Sequence, residues 1–121
     1  MNVKKFNWKR KTAIYIGRFQ PFHRGHKQIF LKALKENKQV AILVMDSFNV
    51  NSKNPFKFNY VKKKIFNELN EYRKNFVIIK IPVVSEVVYG RKVGYKIRKI
   101  KLSKEIEKIS ATKIRNKIKK K

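Results

Sequence analysis

Residues 12–33 read TAIYIGRFQPFHRGHKQIFLKA, and the fold is decided in this stretch. Ala13 to Ile16 is a short apolar run ending at Gly17, the pattern of a strand buried in a sheet. Beyond Gly25, the residues Ile29, Phe30, Ala33 and Leu34 recur at helical spacing. Between the two lies a turn holding Gly17, Pro21, Gly25 and both histidines of the chain, His23 and His26. A strand, a tight turn and a helix opening at a glycine make a natural anion site, because the first N–H groups of a helix point out of its end.

Working outward, helix one is predicted over about His26 to Glu36. Val40 to Met45 (VAILVM) is a second continuous apolar run and a second buried strand. The result is a βαβ unit with a right-handed crossover. Ligands of such sheets sit beyond the carboxyl ends of the strands, here Gly17 and Met45-Asp46, where Asp46 reads as a strand end. Asp46 to Phe58 is a polar loop carrying Lys53 and Pro55. A second helix is predicted from roughly Asn59 to Arg73, with Val61, Ile65, Phe66 and Leu69 on one face. Phe76 to Ile81 (FVIIKI) is the third strand, stopped by Pro82.

Val83 to Tyr89 and Tyr95 to Leu102 are both strand-like. The spacing is too short for a helical crossover, so either a loop replaces the helix or the segment forms a hairpin around Gly90 and Gly94. Ser110 caps a last helix running to Lys119. Its first turns carry Lys113 and Arg115, and cations at a helix start cost a few tenths of a kcal/mol to about 1 each. A bound phosphate would reverse that sign. Residues 1–11 form a basic N-terminal arm, with Phe6 and Trp8 as its contacts to the body, and residues 12–121 form a single domain.

Composition bounds the function. With 121 residues the chain holds one core. It has no cysteine, which excludes disulfides, thiolate metal sites and a cysteine nucleophile. No signal-peptide pattern or membrane-length apolar run is present, so a soluble, cytoplasmic chain without a membrane partner is expected. Thirty-three Lys and Arg against seven Asp and Glu give a formal charge of +26, which favours polyanionic partners and supports non-specific nucleic-acid binding. An AT-rich genome would impose the same wealth of Lys, Asn, Ile, Phe and Tyr, so the charge stands second to the motif. Two histidines three apart suit a metal pair, but no third ligand accompanies them, and no protein-held metal is expected.

His23-Arg24-Gly25-His26, preceded by Gly17-Arg18-Phe19, resembles the HxGH signature of the nucleotidyltransferase superfamily, and Ile109-Ser110-Ala111-Thr112-Lys113-Ile114-Arg115 resembles its ISxTxxR signature. The resemblance covers nearly the whole chain from Thr12 onward. It implies an α/β, Rossmann-like nucleotidyltransferase fold with a mostly parallel sheet, and in-line attack on the α-phosphate of a nucleoside triphosphate with release of pyrophosphate. It also implies a Mg²⁺ ion held mainly by the triphosphate. Such chemistry needs positioning and charge neutralisation more than a protein nucleophile.

By the same resemblance His23, His26 and Arg115 are the catalytic residues. Gly17, Arg18, Phe19, Gly25, Lys53, Ile109, Ser110 and Thr112 bind the nucleotide, with Arg18 and Phe19 flanking the acceptor side and Lys53 closing over the site. Arg91 lies where relatives contact the base, and the default assembly is a homodimer.

GRFQPFHRGH and Asn54-Pro55-Phe56 are similar to archaeal-type nicotinamide mononucleotide adenylyltransferases, which implies ATP and an NAD-forming reaction. Two departures stand out: the position where those enzymes place a basic residue is Val61, and the region between strands three and four is shortened. Glycerol-3-phosphate cytidylyltransferases, using CTP, are the alternative suggested by the short chain and by Asp46-Ser47-Phe48-Asn49. Their first motif carries Thr at Arg18 and Asp at Gln20. A reading of another class is a non-catalytic protein that binds nucleotides or nucleic acid.

Overall fold

The computed structural model describes residues 6–46, 55–91 and 94–100. The elements run β1 (Ala13–Gly17), α1 (Arg24–Asn37), β2 (Val40–Met45), α2 (Phe58–Glu68), a 3₁₀ turn (Asn70–Tyr72) and β3 (Phe76–Ile81). The strands lie in the order β1-β2-β3, all parallel. Ala13 is in register with Val40 and Val40 with Phe76, while Gly17 pairs Val44 and Met45 pairs Ile81. The expected α/β architecture is therefore present, with a wholly parallel sheet among the described residues.

β2 is the central strand, which explains its unbroken apolar sequence. Val40, Ile42 and Val44 share one face by the two-residue period of a strand. They join Phe30 and Ala33 of α1, Val61 and Ile65 of α2, and Leu69 and Phe76 in one buried cluster. Val61 is only 1% exposed. A basic side chain there would strand its charge among aliphatic groups, so an apolar residue at 61 is what the packing requires.

Several boundaries differ from the sequence reading. α1 begins at Arg24, two residues early, because His23 acts as its N-cap. α2 stops at Glu68 instead of continuing to Arg73. Leu69 leaves helical geometry with φ −111° and ψ 18°. The chain then tightens through Tyr72 N–H to Leu69 C=O (2.8 Å) and Asn75 N–H to Tyr72 C=O (2.8 Å). This turn brings Tyr72 to within 6.0 Å of the Phe30 ring, and Phe66, expected in the core, stays 43% exposed.

The second difference lies after β3. Residues 83–91 and 94–100 form no strand, so neither the hairpin nor the loop-crossover strand is present among the described residues; Leu102 lies outside them. β-branched and aromatic residues favour strands only where a sheet gives them a partner and a covered face. Val87, Val88, Tyr89 and Ile97 are 58–76% exposed and have neither. The segment is held by Val84 N–H on the Met45 sulfur (3.3 Å), an Arg98–Glu36 ion pair and Ile100 against the core.

The basic arm is anchored by a residue outside it. The side-chain amide of Gln39 donates to the carbonyls of Asn7 (2.8 Å) and Arg10 (3.3 Å) and to Thr12 Oγ1 (2.6 Å), and accepts from Asn7 N–H (3.1 Å). Trp8 is 74% exposed and touches the edge of Phe6, so it pins nothing to the body.

Candidate active site

The turn between β1 and α1 is built on aromatic packing. Gly17 ends β1 because the Phe19 ring lies over it: a Cβ at Gly17 would stand 2.7–2.8 Å from two Phe19 ring carbons. Phe19 itself takes φ 53°, a left-handed backbone that a bulky side chain adopts only when its surroundings hold it there. What holds it is burial. The ring is 2% exposed and contacts Tyr15 (5.1 Å), Phe22 (5.6 Å) and His26 (5.0 Å). Burial also pushes the Tyr15 phenol up, so it stays neutral.

On this aromatic floor stand the two histidines. Phe22 stacks on His26 at 5.4 Å, and the His23 and His26 rings stack at 3.9 Å with planes 28° apart. Each ring closes one half of a capping box at the start of α1. Gly25 N–H donates to His23 Nδ1 (3.0 Å), and His23 N–H donates to His26 Nδ1 (3.0 Å). The box thus occupies the N-cap and N3 positions, where Ser or Thr and Glu or Gln usually stand.

This box fixes the protonation state. A ring nitrogen that accepts from a backbone N–H must present a lone pair, so in both rings the proton resides on Nε2. Electrostatics agree. Burial lowers His23, while burial followed by the neighbouring His23 lowers His26 to about 3. At neutral pH the site therefore offers two neutral imidazoles, each with Nε2–H as its remaining donor.

Of the residues expected in the site, the structure brings together Gly17, Phe19, His23, Gly25 and His26. Phe19 supports the histidines from the core rather than flanking a ligand with its ring, and the Gly25 N–H is already committed to His23. Arg18 is exposed at the turn. Asp46, at the end of β2, pairs with Lys80 Nζ at 3.8 Å. Arg91 is exposed on the segment after β3. Lys53, Ile109, Ser110, Thr112 and Arg115 lie outside the described residues.

Sequence reasoning missed two supporting residues. Phe22 carries His26, and Gln20 ties the turn to Phe56 by two hydrogen bonds of 2.9 Å. Neither had a local signal, since the Gln20 partner lies 36 residues away. A cavity of about 330 Å³ lined by Lys32, Lys35, Glu36, Arg98, Lys99 and Ile100 lies toward the far end of α1 and includes none of the expected site residues.

Comparisons with known proteins give the family. A nicotinamide-nucleotide adenylyltransferase from Thermoplasma acidophilum is 53% identical over 34 residues, which is 28% of this chain and 19% of that protein. The crystal structure of a bifunctional NMN adenylyltransferase/ADP ribose pyrophosphatase from Francisella tularensis matches at TM-score 0.56 and 36% identity, over 60% of this chain and 22% of that one. The same bifunctional protein complexed with AMP and a manganese ion matches equally well, over 60% of this chain and 23% of that one. The chain thus spans about a fifth of the length of these relatives. The family model described as cytidylyltransferase-like matches residues 14–75, from β1 to the end of the turn after α2. With half of its length, the first βαβ unit, α2 and the histidine box inside that match, the chain belongs to the cytidylyltransferase-like family.

Proposed function

We propose that this chain transfers AMP from ATP to a phosphorylated acceptor, with nicotinamide mononucleotide as the acceptor. An acceptor phosphate oxygen attacks the α-phosphorus, the bond to the bridging α–β oxygen breaks, and pyrophosphate leaves. The observation that carries the reading is the pair of stacked, neutral histidines locked with Nε2–H free at the start of α1. Fixed donors aimed at developing negative charge need no reorganisation during the reaction. They stand at the carboxyl end of β1, where parallel α/β sheets bind ligands. The adenylyltransferase names of the matching proteins favour ATP over CTP and nicotinamide mononucleotide over glycerol 3-phosphate.

His23 and His26 donate to the α- and β-phosphates, and the aromatic floor keeps both rings in place while charge moves. Ser110, Thr112 and Arg115, with Ile109 and Lys53, supply the contacts to the β- and γ-phosphates in this reading. Among the described residues no group of three His, Cys, Asp or Glu side chains is placed to hold a metal ion, and both Nδ1 atoms are engaged. In this reading a divalent ion would enter with ATP as part of the substrate and supply charge neutralisation at the phosphates.

Pyrophosphate release is the test, measured for ATP and CTP paired in turn with nicotinamide mononucleotide and glycerol 3-phosphate in the presence of Mg²⁺. Release with ATP and nicotinamide mononucleotide, and NAD as product, is the expected result. Preference for CTP and glycerol 3-phosphate refutes the substrate assignment. Silence in every pairing, with tight DNA binding that weakens steeply with salt, refutes the reaction and favours the non-catalytic nucleic-acid-binding reading.

A further inference from the structure

The connection from β2 to α2 leaves the sheet at Asp46, and Phe56 stands two residues before α2. There the main chain is gripped on both of its polar groups. Phe56 N–H donates to Gln20 Oε1 at 2.9 Å, and Phe56 C=O accepts from Gln20 Nε2 at 2.9 Å. Only a primary amide presents a donor and an acceptor on one planar group in this way, as the peptide of a neighbouring strand would; a carboxylate offers acceptors alone. Gln20 is 5% exposed and Phe56 is half-buried, so removing the Gln20 amide leaves both Phe56 backbone groups without their protein partner at a partly water-excluded place.

The clamp joins two elements that rim the same end of the sheet. On one side Gln20 follows Phe19 and precedes Phe22, the two rings in contact with His26. On the other, Phe56 packs against the core and stacks on Tyr60 at 4.4 Å with planes 15° apart. β1 and β2 are parallel neighbours, so their carboxyl ends, Gly17 and Met45, lie side by side at the ligand-binding end. Sequence proximity does not enforce this arrangement, because the partners are 36 residues apart. The side-chain amide fixes it at the main chain, alongside the packing of Phe56 on the core.

We propose that Gln20 is a positioning residue for the transfer reaction: by holding the backbone of Phe56, at the approach to α2, it braces the turn that presents the His23 and His26 Nε2–H donors to the triphosphate. The inference rests on the adenylyl-transfer reading. Gln20→Glu keeps an acceptor for Phe56 N–H and loses the donor; Gln20→Met keeps the length and loses both.

Displacements of about 1 Å at such sites cost around a hundredfold in rate. The expected kcat order is therefore Gln, then Glu, then Met, with Gln20→Met down about a hundredfold and KM for ATP within about threefold of wild type. Amide exchange at Phe56 in the wild-type protein is measured alongside, because it needs neither a variant nor a substrate; strong protection is expected. Folded variants with wild-type kcat overturn the proposal, as does a lower melting temperature with kcat unchanged well below it, or an unprotected Phe56 amide. A wild-type protein inactive in every triphosphate–acceptor pairing refutes the transfer reading and the proposal together. An active enzyme indifferent to both substitutions refutes only the proposal.

Discussion

His26→Gln should separate the fold from the chemistry at this site. Glutamine at N3 is a normal capping-box residue, and its side-chain carbonyl can accept from His23 N–H as the imidazole does. Stability near neutral pH should therefore change little. Its pH dependence should change a great deal. His26 in the fold is lowered from 6.5 to about 3, first by burial and then by His23. Between those values the unfolded chain binds a proton that the folded chain refuses, so stability is complete above the unfolded value and falls as pH drops below it.

At about pH 5 the difference amounts to on the order of 2 kcal/mol, a sizeable share of a small domain's stability. His23 is present in both proteins, so the comparison reads His26 together with its coupling to His23. Urea unfolding from about pH 7.5 to about pH 5 should show wild type losing roughly 2 kcal/mol more than His26→Gln. In the activity assay the same variant, without the Nε2–H donor, should lose on the order of a hundredfold in kcat. Parallel pH–stability curves for the two proteins, or a His26 pKa near the ordinary value by NMR, would refute the locked box.

Gly17→Ala should destabilise by about 1–3 kcal/mol in urea unfolding, because its methyl would meet the Phe19 ring at 2.7 Å in a turn that cannot recede without moving His26. Gln39→Met removes four hydrogen bonds to the arm and Thr12; trypsin should then cut around Lys9 and Arg10 markedly faster, with a stability loss of about 1–3 kcal/mol. Arg98→Ala breaks an ion pair whose side chains are 34% and 51% exposed, so its cost by thermal unfolding should stay within about 1 kcal/mol and vanish at high salt.

Much of the architecture was legible because its signals are local. VAILVM and FVIIKI are strands with no helical period, and both appear at the expected residues. The histidine turn was recognisable from its motif. What could not be read depends on partners distant in sequence. The fate of residues 83–91 and 94–100 turns on whether a sheet edge receives them, which strand propensity does not encode. The break at Leu69 contains neither Gly nor Pro; it follows from Tyr72 reaching Phe30, a contact across the core. The resemblance of Gly17-Arg18-Phe19 to the family motif assigns Phe19 to the acceptor side of the site, a role that carries no information about its ring packing. Only the crossing of its ring over Gly17 shows that it belongs to the floor.

The spacing of the two histidines now has a physical reason that the motif alone did not supply. Residues i and i+3 at a helix start are the N-cap and N3, the one pair of positions whose side chains can each reach a backbone N–H of the other's turn. With histidine at both, the same bonds that start α1 also set both tautomers, stack the rings and leave one donor on each. Gly25 sits between them as the residue whose N–H closes the His23 half. Fold and proposed catalysis thus share atoms, and an alanine at either histidine removes a helix cap together with the hydrogen-bond donor that the proposal aims at phosphate. A loss of rate in such a variant does not discriminate between the two roles. Glutamine at 26 and asparagine at 23 retain a capping acceptor while deleting the imidazole N–H, so any rate they lose at unchanged stability belongs to the chemistry.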